Sequence, residues 1–217
     1  MGEDFEDLML TGDSESHRFG GQWTLDKLSM VRQYLGGYTT ALKNQRFRLM
    51  YIDAFAGTGR FEVGSGEVYD GSATIALATM PPFQQITFIE KRRSRCDALK
   101  QLANQHRHRD ITVIQGEANE ELQRLCASFD RSRFRAVLFL DPYGLDVAWP
   151  TLEAIRKTEA IDVWYLCSFS GLYRQMAIDH RKVDADKDAA ITRFFGTESW
   201  REELYEPVPT GDLFGVE

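Results

Sequence analysis

The sequence predicts an α/β protein with a doubly wound, mostly parallel sheet, and two observations carry that prediction. Short apolar runs alternate with segments of helical periodicity along most of the chain. The runs are apolar on both faces, which is typical of buried parallel strands. The first of them ends at Asp53 and breaks into a loop of small residues with Gly57 and Gly59. Such a loop after a strand is how an α/β protein holds a nucleotide-like ligand.

The individual elements follow from periodicity and from helix signals. A first helix is predicted over residues 23–44, where Leu28, Val31 and Leu35 recur at helical spacing. Strands are predicted at residues 49–55, 86–89, 111–114, 136–140 and 161–167. Helices are predicted at residues 72–80, from Ser94 onward, around Leu122 and Leu125, and at residues 150–158 and 184–196. The glycine-rich segment that runs to Gly71 is interpreted as a loop that returns the next helix toward the ligand.

Composition bounds the organisation of the chain. With 217 residues, of which 43% are hydrophobic and 27% charged, the chain suits one globular domain. Residues 1–17 are acidic and are predicted to form a flexible tail, and residues 18–217 are predicted to form a single domain. No apolar run is long enough to span a membrane and no export signal is evident, so we expect a cytoplasmic protein.

Charge and cysteine content exclude some classes of protein. The net charge of −7 argues against a wholly basic surface that coats nucleic acid, although local basic clusters such as residues 91–95 remain. The three cysteines, Cys96, Cys126 and Cys167, lack C-x-x-C spacing. We therefore predict no metal site, and reduced thiols in core positions.

Four acidic residues close or follow successive predicted strands: Asp53, Glu90, Glu117 and Asp141. Because the carboxyl ends of parallel strands share one edge of the sheet, we expect all four at that edge. One acid alone indicates little, since the dipole of a following helix also favours a carboxylate there. The glycine spacing alone is weak too, because Glu62 stands where a dinucleotide fingerprint has its third glycine. The four acids and the glycine turn together favour a ligand site.

The ordered set of motifs resembles class I S-adenosylmethionine-dependent methyltransferases, which have a Rossmann-like sheet. The resemblance covers residues 49–167 and rests on Asp53-Ala-Phe-Ala-Gly57-Thr-Gly59, Glu90, Gly116-Glu117-Ala118 and Asp141-Pro142-Tyr143-Gly144. With Trp23-Thr-Leu-Asp-Lys27 and Gly71-Ser72 added, the pattern resembles the three-Cys-motif partner family (TcmP). The three cysteines of that name belong to the partner protein and are not those of this chain. Two further strands expected in this fold are not found after residue 167, so the sheet is expected to lack them; the chain is then either part of a longer protein or a pared-down variant.

The resemblance implies a role for each matching residue. The methionine part of S-adenosylmethionine would contact Asp53, Ala56, Gly57 and Gly59. The ribose would bind Glu90, and the adenine would meet Glu117 and Ala118. The methyl acceptor would face Asp141, Pro142 and Tyr143.

The implied activity is methyl transfer to a nitrogen, with a nucleobase as a candidate acceptor and a three-Cys-motif protein as partner. One departure matters: amino-methyltransferases carry D-P-P-[YF], whereas here the aromatic is one place earlier, at Tyr143, and Gly144 takes its position. Two alternatives stay open. One is a non-catalytic binding subunit that keeps the fold, and the other is a nicotinamide oxidoreductase in which Glu90 binds the ribose of NAD.

Overall fold

The computed structural model describes residues 14–63, 67–177 and 183–205. Its strands are β1 (Arg48–Asp53), β2 (Arg60–Val63), β3 (Glu67–Asp70), β4 (Gln85–Glu90), β5 (Ile111–Gln115), β6 (Phe134–Leu140) and β7 (Ile161–Tyr165). Its helices are α1 (Ser14–Leu42), α2 (Ser72–Ala78), α3 (Arg93–Gln105), α4 (Ala118–Ala127), α5 (Trp149–Thr158), α6 (Phe169–Gln175), α7 (Ala185–Phe195) and α8 (Trp200–Glu203).

The central sheet confirms the predicted fold class. Five parallel strands lie in the order β5-β4-β1-β6-β7, and helices cover both faces. The chain moves from β1 outward through β4 to β5, then returns to the other side of β1 with β6. This reversal places the topological switch point between the carboxyl ends of β1 and β6, where Rossmann-like sheets bind their ligands.

Each face of the sheet has its own hydrophobic core, because successive strand residues point to opposite sides. On one face, Tyr51, Phe88 and Phe139 pack with α1, α2 and α3. On the other face, Ile52 and Leu138 pack with α4 and α5. The two-layer burial explains why the central strands are apolar at nearly every position.

Helix α1 lies along the first of these faces. Leu28, Val31 and Leu35 are buried in its core, as their helical spacing predicted. Further along, Tyr34 contacts Trp164 of β7 and Tyr38 lies against Phe83 just before β4. The helix therefore crosses the sheet toward the amino ends of the strands, and its Trp23–Lys27 turn lies at the carboxyl edge.

Two segments, helix α1 and the segment before α2, differ from the sequence prediction. Helix α1 begins at Ser14 rather than Trp23 and ends at Leu42, so residues 14–17 of the predicted tail are helical. Extending an existing helix costs far less than nucleating one, so a stable α1 can include a weak helix former such as Gly20. The segment predicted as a glycine-rich loop contains the antiparallel pair β2–β3. Phe61 and Tyr69 stack across that pair, a cross-strand contact that stabilises a hairpin.

The chain after β7 was only partly predicted. Helix α7 matches the predicted helix, whereas α6 and α8 are too short to show periodicity. Among the described residues no strand follows β7, in line with the expected shortened sheet. Cys96 is buried as predicted, but Cys167 is exposed, because strand β7 ends at Tyr165 and leaves it in the following loop.

Within the described ranges, no helix combines the length and the apolar character that a membrane crossing requires.

We expect Leu35→Ala to lower the free energy of unfolding by about 2 to 5 kcal/mol, because it opens a cavity between α1 and the sheet. Urea denaturation of the two proteins measures this difference. Met30→Ala, on the exposed side of the same helix, is the control and should change little. A loss below about 1 kcal/mol for Leu35→Ala would mean that α1 is not docked as described.

Candidate functional site

Asp53 ends β1 with its side chain completely buried. Its Oδ1 accepts a hydrogen bond from the Phe55 amide at 3.2 Å, and the Tyr51 hydroxyl donates to its Oδ2 at 3.4 Å. Burial raises the pKa of Asp53 to about 6, against the hydrogen bonds from Ser72 and Phe55, which lower it. The charge of Asp141 raises this pKa further, so the two carboxylates are close enough to interact.

Gly57 and Gly59 both adopt left-handed backbone conformations, with φ of 61° and 81°. Their surroundings differ. A Cβ on Gly57 would meet nothing within 4 Å, so this backbone borders open space. A Cβ on Gly59 would lie 2.7 Å from Cδ2 of Leu102, so Gly59 serves the close packing of the loop against α3.

Glu90 ends β4 and is tied to the glycine turn. Its Oε2 accepts a hydrogen bond from the Gly57 amide at 3.1 Å, and its Oε1 accepts one from the Arg92 amide at 2.8 Å. The Ala56 amide donates to the carbonyl of Ile89 at 3.2 Å. A carboxylate has about four acceptor positions, so two amides fix the orientation of Glu90 and leave acceptor capacity for a ligand.

The hairpin brings α2 back to this turn. The Gly71 amide donates to the carbonyl of Gly59 at 2.8 Å, and the Thr74 hydroxyl donates to the same carbonyl at 2.6 Å. A Cβ on Gly71 would lie 3.0 Å from the Gly59 carbonyl carbon, which explains the glycine. As a result Ser72, the first residue of α2, lies close enough to Asp53 to lower the pKa of that carboxyl.

The loop after β6 carries the third carboxylate. Asp141 forms an ion pair with Lys27 of α1, and its side chain is one-third exposed (34%). Pro142 is buried, whereas Tyr143 is 74% exposed. Gly144 has a φ of 62°, and a Cβ there would meet nothing within 4 Å. This loop therefore borders open space as well.

Lys27 was quoted in a sequence motif but was not predicted as a site residue. Its partner Asp141 is 114 positions away in the sequence, so no local spacing rule could pair them. The ion pair fastens the middle of α1 over the ends of β1 and β6, where the switch point lies.

Glu117 and Ala118 follow the next strand, β5, and begin helix α4. The Glu117 carboxylate caps α4, since it accepts the amides of Asn119 at 2.9 Å and Glu120 at 3.3 Å. Ala118 is buried. A contact between these residues and adenine remains a prediction.

Asn119 is a residue that sequence reasoning missed. Its Nδ2 donates to the carbonyl of Asp146 at 2.8 Å, and its Oδ1 accepts the Ala148 amide at 2.8 Å. These bonds tie the start of α4 to the loop after β6. A single polar residue in a helical first turn gives no sequence signal of such a long-range role.

The structure thus brings three of the four predicted carboxylates to adjacent strand ends, namely Asp53 on β1, Glu90 on β4 and Asp141 after β6. Glu117 lies one strand further out. Among the described residues no group of three or more His, Cys, Asp or Glu side chains is arranged to hold a metal ion.

Comparison with known proteins supports the fold. No protein-family model matches the chain, and no curated protein matches it in sequence. Protein LPL1258 from Legionella pneumophila shares 13% identity with a TM-score of 0.50, over 71% of this chain and 74% of that chain. This similarity concerns the fold alone.

Two further solved structures are more distant. A putative methylase, HI0767 from Haemophilus influenzae, shares 18% identity with a TM-score of 0.39, over 62% of this chain and 65% of that chain. An rRNA methylase from Streptococcus thermophilus shares 14% identity with a TM-score of 0.37, over 78% of this chain and 80% of that chain.

The pKa of Asp53 makes stability depend on pH. The folded carboxyl, with a pKa near 6 against an ordinary value of 3.8, binds its proton more tightly than the unfolded chain does. Its contribution to stability is therefore full below about pH 4 and is lost as the pH rises through 6. Relative to Asp53→Asn, the wild-type free energy of unfolding should fall by on the order of 3 kcal/mol between pH 4 and 7. Urea denaturation at both pH values measures this, and a difference that is constant with pH would contradict the buried environment of Asp53.

Proposed function

We propose that this chain is an S-adenosylmethionine-dependent methyltransferase that acts on a nitrogen acceptor. One observation carries the proposal: Asp53, Glu90 and Asp141 stand at the ends of three adjacent parallel strands, beside a left-handed Gly57 that borders open space. The site lies at the switch point of the sheet, where such folds place their ligands.

The donor and acceptor groups fit S-adenosylmethionine, which supplies an electrophilic methyl group on its sulfonium. The oriented Glu90 carboxylate retains acceptor positions that suit the two neighbouring hydroxyls of a ribose. Asp53 is ionised above about pH 6 and suits the ammonium of the methionine part. The pyrophosphate of NAD would instead meet this buried negative charge with like charge, which favours the sulfonium cofactor over the nicotinamide alternative.

Asp141 has the position and chemistry to hold the acceptor. Lys27 fixes its carboxylate from the side of α1, and the remaining exposed part faces outward. A carboxylate held in this way accepts an N–H group and so orients the nitrogen toward the cofactor. Methyl transfer to an amine depends more on such positioning than on a strong base.

A non-catalytic binding subunit is the second candidate, and the position of Tyr143 favours it. In the D-P-P-[YF] pattern the aromatic stacks on the target base, whereas Tyr143 is largely in solvent here. Cooperation with a three-Cys-motif protein remains part of our proposal and rests on the resemblance in Trp23–Lys27 and Asp141–Leu145. A cytoplasmic location is likewise a proposal. Methyl transfer by the isolated chain would count against the non-catalytic reading.

Cofactor binding is tested with Glu90→Gln, which keeps the size of the side chain and removes its charge. We expect the Kd of S-adenosylhomocysteine to rise at least about tenfold, since two ribose bonds to a charged acceptor weaken. Isothermal titration calorimetry measures the Kd. The matched control is Glu153→Gln on the exposed side of α5, which should bind as the wild type does. Equal affinity in both variants would remove Glu90 from the site, and NAD binding with comparable affinity would favour the oxidoreductase.

The role of Asp141 is tested with Asp141→Ala. We expect the Kd of S-adenosylhomocysteine to stay within about threefold, while methyl transfer falls at least about 100-fold, because the acceptor loses its orientation. Incorporation of radiolabelled methyl into total nucleic acid and into small amines measures transfer. Asp97→Ala, on the surface of α3, is the control. Unchanged transfer in Asp141→Ala would rule out this assignment.

A further inference from the structure

We propose that the carboxyl edge of the sheet binds single-stranded nucleic acid, through a stacking surface formed by Phe169 and Tyr173 on α6. This surface would make single-stranded nucleic acid the substrate of the proposed methyltransferase. That part of the inference rests on the proposed function. The binding itself can be measured without any cofactor.

The most exposed aromatic side chains of the described residues belong to this edge. Tyr173, Phe169, Tyr143 and Trp23 are 80%, 79%, 74% and 63% exposed. Tyr143 follows β6, α6 follows β7, and Trp23 lies one helical turn before Lys27, which contacts Asp141. Single exposed apolar residues are common, but exposed rings gathered at one edge indicate a binding surface.

The position of α6 relative to the acceptor loop is fixed by close packing. A Cβ on Gly171 would lie 2.9 Å from the Cα of Gly144, so the helix backbone rests directly on the loop after β6. The Ser168 hydroxyl caps α6 by accepting the Gly171 amide at 2.9 Å. These contacts therefore fix the position of α6 relative to the loop that carries Asp141.

Phe169 and Tyr173 are four positions apart and share one face of α6. That face is opposite Gly171, which is two positions from each of them. Their rings thus stand about one helix diameter, ~10 Å, from the acceptor loop. At this separation, one strand can place one nucleotide at Asp141 while neighbouring nucleotides stack on the rings. A duplex hides the faces of its bases, so the rings select single strands.

Basic side chains also lie at this edge of the sheet, despite the net charge of −7. Lys91 and Arg193 are exposed and face Asp146 in the loop after β6, where their charges act on its carboxyl. Arg174 is exposed on α6 itself. Exposed rings and cationic side chains at one edge are the two features that single-stranded nucleic acid requires.

The test is fluorescence anisotropy of the full chain with a labelled mixed-sequence 12-nucleotide RNA or DNA and with the matching duplex. We expect the single strand to bind more tightly than the duplex, and the double variant Phe169→Ala/Tyr173→Ala to raise its Kd at least about tenfold. Tyr173→Phe, which keeps a stacking ring, should bind nearly as the wild type does. Met80→Ala, an exposed apolar residue just before β4 at the opposite edge, is the second control. Lys91→Gln should lower the slope of log Kd against the logarithm of the salt concentration by about one, because one phosphate contact is lost.

The outcomes separate this inference from the proposed function. Failure to bind either nucleic acid, or equal binding by the double variant, overturns the stacking surface, while S-adenosylhomocysteine binding would still support the methyltransferase. Single-strand binding that depends on the rings supports the surface, even if S-adenosylhomocysteine does not bind and the proposed function fails. If the double variant lost only a protein partner and kept its affinity for RNA and DNA, the surface would be a protein interface and the inference would be wrong.

Discussion

The candidate site depends on the hydrogen bond between the Gly57 amide and the Glu90 carboxylate. This bond joins the turn after β1 to the end of the neighbouring strand β4, and it forms because Gly57 adopts a left-handed conformation that other residues rarely accept. It orients Glu90 before any ligand arrives. Preorganisation of this kind lowers the entropy that binding would otherwise cost.

A second constraint comes from helix α1, which packs on one face of the sheet. The Lys27–Asp141 ion pair holds the middle of α1 at the switch point, while Leu28, Val31 and Leu35 hold the following turns on the core. A partly exposed ion pair contributes little stability by itself. Its main effect is therefore on position, because it fixes the acceptor-side carboxylate between α1 and the loop after β6. Asn119 supports the same loop from the other face of the sheet.

The sheet could be predicted from the sequence, because burial on both faces forces an apolar run in each strand. The prediction that Asp53, Glu90 and Asp141 lie at one edge followed from the parallel arrangement of the strands alone. The hairpin β2–β3 and helix α6 were missed, since each is too short for a reliable period. Lys27 and Asn119 were missed because their partners are distant in sequence. The different roles of Gly57 and Gly59 depend on which atoms face each glycine, and sequence does not contain that information.

A crystal structure of the chain with S-adenosylhomocysteine tests the central claim most directly. We expect both ribose hydroxyls within hydrogen-bonding distance of the Glu90 carboxylate, the homocysteine ammonium beside Asp53, and the ligand against the open side of Gly57. A ligand bound elsewhere on the chain, or one that leaves Glu90 in contact with only the Gly57 and Arg92 amides, would contradict the account.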